Sequence, residues 1–365
     1  MIEKIYYLVD WIFPKKATWS GTPFGVLNAL EKKIKVIDVD INNKKDTRLE
    51  RGIVKRIERL PDMSLALVLY NRIKHRLHNK EKKIILQLSE VIFNDKYTKT
   101  YIYHDLTYKY LYDLYKNNRE TFNYSGNKGR AYPFMMNLRS RYEMYYHKKK
   151  CSCVFCMGKW LYNILVEKYN YSPDKVCHVG GGINITLEKL SLQKKLRNKI
   201  LFVGVDFERK GGYITYEAFK LLRNKNKSLE LHVAGPHENP IEEPIDGYYY
   251  YGKVSSEKVL ELYGKCDIFC MPSYFEAYGL VFIEALACGL PCIGRDKYEM
   301  PYFIEQGVTG ELLTNDDPEQ LAKLIDKILK TEQYFVNVKN SYNYYINEYS
   351  WDTVVDRMIN KINQK

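Results

Sequence analysis

Pro272-Ser-Tyr-Phe-Glu-Ala-Tyr-Gly-Leu-Val-Phe-Ile-Glu-Ala-Leu-Ala-Cys-Gly-Leu-Pro291 decides how the rest of the chain is read. It follows Cys266–Met271 (CDIFCM), a short apolar run with the composition of a buried strand. A loop is expected through Glu276, then a helix from about Tyr278 that ends at Gly289-Leu-Pro291. Leu280, Val281, Ile283, Leu286 and Ala287 supply the apolar face that packs such a helix on a sheet. Glu284 lies inside the helix. Glu276 and Glu284 are eight positions apart, just over two turns at ~3.6 residues per turn, so both are expected on one side of a cleft. The backbone N–H groups of Ala277, Tyr278, Gly279 and Leu280 are expected at the helix start, where an anion such as a diphosphate is favoured. Gly279 would allow its close approach. Taken singly, a carboxylate ahead of a helix is as readily a cap or a dipole partner.

Outward from this stretch, short apolar runs alternate with helical patterns almost from end to end. Ile5–Val9, Val36–Val39, Ile84–Leu88, Val154–Met157, Ile200–Val203, Leu231–Ala234, Ile268–Met271 and Pro291–Ile293 all read as strands buried on both faces. Strands alternating with helices give parallel sheets, and right-handed crossovers give doubly wound, Rossmann-like units. The charged stretch Thr186–Lys199 (TLEKLSLQKKLRNK) interrupts the alternation, and a fresh strand follows it. The division expected is residues 1–190 as one Rossmann-like domain and 191–345 as a second. A final helical segment, 346–365, would cross back to the first. Ligands of open parallel sheets sit beyond the carboxyl ends of the strands, so strand-to-helix loops are where chemistry is expected.

The chain has 365 residues, and 57 Lys and Arg against 44 Asp and Glu leave a net charge of +13. At 45% hydrophobic and 14% aromatic residues it is too apolar for a disordered chain. No apolar run approaches the ~20 residues of a membrane span. Glu3, Lys4 and Asp10 break the first apolar stretch, which reads as a strand and not a signal peptide, so the expected address is cytoplasmic. The cysteines fit that address. Cys151-Ser-Cys153-Val-Phe-Cys156 has strand composition, and no second pair completes a tetrahedral zinc set, so no metal is expected. The abundance of Tyr, Lys and Asn looks like base composition as much as function.

The whole 272–291 arrangement resembles the E-x7-E signature of the retaining glycosyltransferases of family 4, whose fold is GT-B: two Rossmann-like doubly wound α/β domains facing across a cleft. The resemblance implies that Glu276 contacts the transferred sugar and Glu284 the ribose hydroxyls of a nucleotide, roles that suit carboxylates as acceptors. Leu201–Gly212 (LFVGVDFERKGG) resembles the family loop whose basic pair holds the diphosphate. Lys210 matches its lysine. Val205 stands where an arginine is usual, and Arg209 is the substitute. Such cations stabilise a departing diphosphate; the competing reading is a solvated surface pair. Val233-Ala-Gly-Pro236 and Tyr251–Ser256, with Val254, look like the base pocket. Val179–Asn184 (VGGGIN) resembles the hinge turn, and Gly307–Gly310 a turn behind the donor.

In the first domain, Trp19–Phe24 (WSGTPF) precedes a helix at Phe24–Lys32. The resemblance makes Gly21 and Thr22 donor contacts, while Ser20 or Thr22 could equally cap that helix. Thr100–Thr107 (TYIYHDLT) ends a strand where many family members place a histidine beside the reacting sugar. His104 is the match, with Asp105 the alternative. Ala131–Lys150 mixes basic and aromatic residues, as do helices that lie on anionic membranes, though such charges also make ordinary solvated faces.

The resemblance therefore implies a metal-independent retaining hexosyltransferase. GDP-mannose is its favoured donor and UDP-glucose the next. The acceptor is a hydroxyl of a glycan, glycoprotein or lipid-linked sugar. The base bias also suits family members encoded by large algal DNA viruses. Two other classes compete. Net +13 invites a nucleic-acid-binding or DNA-modifying protein, but no reader motif accompanies it. Val205 invites a catalytically inactive sugar-nucleotide-binding scaffold.

Overall fold

A computed structural model describes residues 2–41, 77, 81–88, 96–117, 132–185 and 197–364. The chain forms two compact units: Met1–Gly182 with Trp351–Lys365, and Ile183–Ser350. The sequence placed its breaks after 190 and 345. Most of the charged stretch behind the first of these, 186–196, lies outside the described residues.

Among the described residues, unit 1 holds six parallel strands: β1 (Lys4–Val9), β2 (Lys35–Asp40), β3 (Lys83–Leu88), β4 (Thr98–His104), β5 (Cys153–Cys156) and β6 (Val176–His178). Their order is β2-β1-β3-β4-β5-β6. Around them are α1 (Thr22–Glu31), α2 (Tyr108–Asn117), α3 (Tyr132–Lys149) and α4 (Lys159–Asn163). Ile5, Tyr7, Leu8, Ile85, Leu86, Tyr101 and Phe155 are buried, which is why the strands read as near-continuous apolar runs. Every residue of β5 is buried and all eight cysteines of the chain are free thiols. Cys151 Sγ lies 3.0 Å from the Cys153 carbonyl, so this cluster packs as small hydrophobes.

Unit 2 contains β7 (Lys199–Val203), α5 (Gly212–Lys225), β8 (Glu230–Ala234), β9 (Tyr248–Gly252), α6 (Ser256–Lys265) and β10 (Ile268–Cys270). It continues with α7 (Leu280–Ala287), β11 (Cys292–Arg295), α8 (Met300–Phe303), β12 (Gly310–Leu313), α9 (Pro318–Lys330), α10 (Glu332–Asn340) and α11 (Tyr342–Glu348). The sheet is again parallel, in the order β12-β11-β10-β7-β8-β9. Counted from its own first strand, this is the strand order of dinucleotide-binding folds. It reverses between β7 and β10, the point at which open parallel sheets of this order hold their ligands.

The last helix, α12 (Trp351–Asn363), belongs to unit 1 and packs on α1. Its Trp351 ring presses between two backbones. A Cβ on Gly25 would fall 2.2 Å from Trp351 Nε1, and one on Gly182 would fall 2.4 Å from Cδ2. Ion pairs of Lys32 with Asp352 and of Lys33 with Asp356 are solvated and add little.

Candidate functional site

Two loops meet at the switch point of unit 2, the one after β7 and the one after β10. They are cross-bonded. Tyr274 N–H donates to the Arg209 carbonyl at 2.9 Å, and Arg209 donates back to the Phe275 carbonyl at 2.5 Å. Gly211, with φ +76°, lets the first loop come this close. A Cβ there would sit 2.5 Å from the Pro272 carbonyl oxygen. The buried Arg295 donates to the same Pro272 carbonyl from the other side, at 3.2 and 3.3 Å. Gly204 leaves room for the aliphatic stem of Lys210, whose Cδ would meet a Cβ at 2.2 Å.

This scaffold brings Lys210 to Glu276. Lys210 Nζ lies 3.1 Å from Glu276 Oε2, with both side chains 14% exposed, and Arg209 adds its guanidinium at 3.9 Å. The contact has ion-pair distance but not the angles of a hydrogen bond, so Glu276 Oε2 is buried and still lacks a donor. Arg209 is itself oriented by Asp206, at 2.9 Å. Val205, at the usual basic position, is exposed. Lys210 and Arg209, expected at a diphosphate, thus face Glu276, expected at the transferred sugar.

Glu284 sits in α7 with its carboxylate buried. Burial pushes its carboxyl up to about 7, against hydrogen bonds from the Asn184 backbone and the Tyr263 hydroxyl. The Tyr263 oxygen is 3.4 Å from Glu284 Oε2. The helix itself starts later than expected. Gly279, at φ +95°, is its N-cap, and Leu280 is its first residue. Phe282 N–H already bonds the Gly279 carbonyl, so the leading helical N–H groups are those of Leu280 and Val281. Ala277 and Tyr278 belong to the preceding loop, and the Tyr278 ring packs edge-on against Phe303. Glu276 is also outside the helix, so the two-turn spacing does not position it. The cross-bonded loop does.

Val254 is half-buried in the loop after β9, and Ser255 beside it caps α6 by accepting from Lys258 N–H. Tyr250, within β9, donates to the Pro236 carbonyl and ties that strand to the loop after β8. Gly307 N–H bonds the Gly310 carbonyl in a turn leading into β12. The boundary between the two units falls at the end of the Gly180-Gly-Gly182 turn.

In unit 1, Gly21 is the N-cap of α1 at φ 87°, Thr22 is its buried first residue, and no side chain caps it. The N-cap position is thus held by Gly21 and not by Ser20 or Thr22. Trp19 and Ser20 also have positive φ, at 42° and 54°. Two successive non-glycine residues in the left-handed region are strained backbone, which neither residue type announces in the sequence. Asp105 follows β4 and is half-buried. His104 is buried, and desolvation pushes its imidazole down to about 4. Sequence reasoning missed its neighbours. The ring of His147 lies 5.2 Å from that of His104, and Glu143 is a turn away on α3. Burial pushes the Glu143 carboxyl up to about 8. The signal available was the Glu143–His147 spacing of four, which puts both on one helix face.

The family described as glycosyl transferases group 1 matches residues 186–348, a stretch that contains both cross-bonded loops and α7. The chain is related to that family. An uncharacterized glycosyltransferase of Methanocaldococcus jannaschii is 26% identical over 233 residues, 57% of this chain and 59% of that protein. A D-inositol 3-phosphate glycosyltransferase of Corynebacterium efficiens is 25% identical over 213 residues, 51% of this chain and 50% of that one. The chain thus spans between half and three-fifths of these relatives' length. Among solved structures, WaaG, a glycosyltransferase involved in lipopolysaccharide biosynthesis, matches with a TM-score of 0.65, 15% identity and 99% of both chains covered. Anabaena HepE, in complex with UDP and glucose, matches with a TM-score of 0.65, 13% identity and 100% of both chains covered. Likeness at these identities establishes the fold, the pair of Rossmann-like units of GT-B proteins.

Proposed function

We propose that this chain is a retaining glycosyltransferase that moves a hexose from a nucleoside diphosphate sugar to an acceptor hydroxyl. The observation that carries the reading is the Lys210–Arg209–Glu276 group at the switch point of unit 2, with Glu284 buried one helix away. Without donor, the two cations face Glu276. With donor, they turn to the diphosphate, whose developing charge they stabilise as it leaves. Glu276 is then released to accept a hydrogen bond from a hexose hydroxyl, and Glu284 accepts from the ribose. Retention follows from attack on the face the diphosphate leaves, with no enzyme nucleophile. Protein cations do the work on the diphosphate, so the reading calls for no metal in that step.

Asp105 is the residue we assign to the acceptor side of the reacting centre, because His104 is buried among His147 and Glu143. Gly21, Thr22 and Val254 complete the donor contacts in this reading. GDP-mannose is the donor favoured by the E-x7-E resemblance, whereas the UDP and glucose of the HepE complex favour UDP-glucose. The acceptor is a glycan, a glycoprotein or a lipid-linked sugar. For a lipid-linked acceptor, the exposed Phe134, Arg141, Tyr142, Tyr145 and Lys149 of α3 form the surface suited to anionic headgroups, which flotation with anionic vesicles tests. Among the described residues no helix is long and apolar enough to cross a membrane.

Calorimetric titration with GDP, UDP, ADP and their sugars tests the donor site. At least one is expected to bind with a dissociation constant below ~1 mM and to lose affinity in Glu284→Ala. Absence of all binding would overturn the reading. The exposed Val205 favours one rival, an inactive binding protein. Donor hydrolysis that Glu276→Ala leaves unchanged would select that rival.

A further inference from the structure

A second buried group, in unit 1, plays no part in the chemistry above. His104 closes β4, while Glu143 and His147 share one face of α3. One candidate ligand atom from each lies within 4.8 Å of the other two. The residues are 5%, 8% and 2% exposed. His104 Nε2 and Glu143 Oε1 are buried without any hydrogen-bond partner. An unsatisfied buried polar atom is costly, and few persist in a folded protein without a ligand or ordered water. Two further polar atoms of the group are held from outside it. Glu143 Oε2 accepts from Lys109 N–H at 3.1 Å, and His147 Nδ1 is 3.3 Å from the Tyr171 hydroxyl oxygen. These are the outer contacts that fix a ligating carboxylate and select one imidazole nitrogen.

We propose that His104, Glu143 and His147 form a binding site for a divalent transition-metal ion, with zinc the best chemical match. Two imidazoles and one carboxylate are a common zinc donor set, and they leave a fourth position for water. Bonds of ~2.0–2.2 Å place tetrahedral ligands roughly 3.3–3.5 Å apart. The present spread of up to 4.8 Å therefore has to close by a little over 1 Å, a movement that side-chain rotation supplies. The ion would join the end of β4 to α3 and satisfy both orphaned atoms. The group belongs to unit 1, whereas the donor loops belong to unit 2.

The test is zinc and cobalt titration of the chelator-stripped full chain against a competing chromophoric chelator. One equivalent is expected to bind with a dissociation constant below ~1 μM. Cobalt is expected to give the intense visible bands of a low-coordinate nitrogen–oxygen site. Glu143→Gln and His147→Gln should each weaken zinc by about 100-fold, while His237→Gln, at an exposed position, leaves it unchanged. Absence of a tight equivalent, a six-coordinate cobalt spectrum, or zinc affinity within threefold of wild type in both variants would overturn the proposal. If a variant does not fold, stoichiometry and the cobalt spectrum of the wild type decide. None of these readouts depends on sugar transfer, so this site and the donor site stand or fall separately.

Discussion

Substituting Glu284 by Gln should change how unit 2 responds to pH, by an amount that can be worked out from its burial. The Glu284 carboxyl is pushed up from 4.5 to about 7. In the unfolded chain it returns to the lower value. Between the two, the native state holds a proton that the unfolded state has released, so raising the pH through this window destabilises the fold. At ~1.36 kcal/mol per pH unit, the loss approaches about 3 kcal/mol once the pH exceeds 7. The glutamine of the variant cannot ionise, so its unfolding free energy lacks this slope. Other titrating groups contribute equally to both proteins and cancel in the comparison. The four tryptophans, Trp11, Trp19, Trp160 and Trp351, all lie in unit 1, so their fluorescence is the wrong reporter. Hydrogen exchange of the α7 amides reads the right unit. Relative to wild type at the same pH, the variant should gain about 100-fold in α7 protection between pH 4.5 and pH 7.5. A ratio that stays constant across this range would show that Glu284 titrates as an ordinary carboxylate, and the burial argument would be wrong.

Three further outcomes are expected. Lys210→Met should lower donor turnover by about 100-fold or more, since it removes a charge aimed at the leaving group; kcat for donor consumption measures this, and an unchanged kcat would return Lys210 to a structural pair with Glu276. Gly211→Ala should destabilise unit 2 by roughly 1–3 kcal/mol, because the left-handed backbone and the Pro272 carbonyl at 2.5 Å both resist a methyl group; urea unfolding followed by tyrosine near-UV circular dichroism reads the change. Trp351→Ala should cost unit 1 about 3–5 kcal/mol, since the indole fills the space between Gly25 and Gly182. Fluorescence of the remaining tryptophans reports it, and a loss below ~1 kcal/mol would mean that α12 is held by its ion pairs.

Much of the fold was legible because its signals are local. Fully buried parallel strands must be continuously apolar, so Ile5–Val9, Ile84–Leu88 and Ile200–Val203 were readable as strands. Gly289 and Pro291 marked the end of α7 for the same reason, since a helix stop depends on local backbone freedom. The start of that helix was misread by two residues. Nothing in Ala277-Tyr278 forbids a helix, and only the left-handed Gly279 and the packing of Tyr278 on Phe303 delay it. The final helix illustrates the same division. Its amphipathic pattern is in the sequence, but its place beside Gly25 and Gly182 rests on a close fit between residues far apart in the chain.

The sequence by itself determined the types of chemical group present: two glutamates at a telling interval, a basic pair among glycines, and the alternation that builds two parallel sheets. Only the tertiary structure decided what those groups do to one another. The reversal of strand order between β7 and β10 brings residues 206–211 against residues 272–276, and so gives Glu276 its cations. Burial, a property of the whole packed unit, moves Glu284 toward neutrality and encloses His104 with Glu143 and His147. Ion-pair contact and desolvation act over a few ångströms of space, and sequence separation carries no record of such distances until the chain has folded.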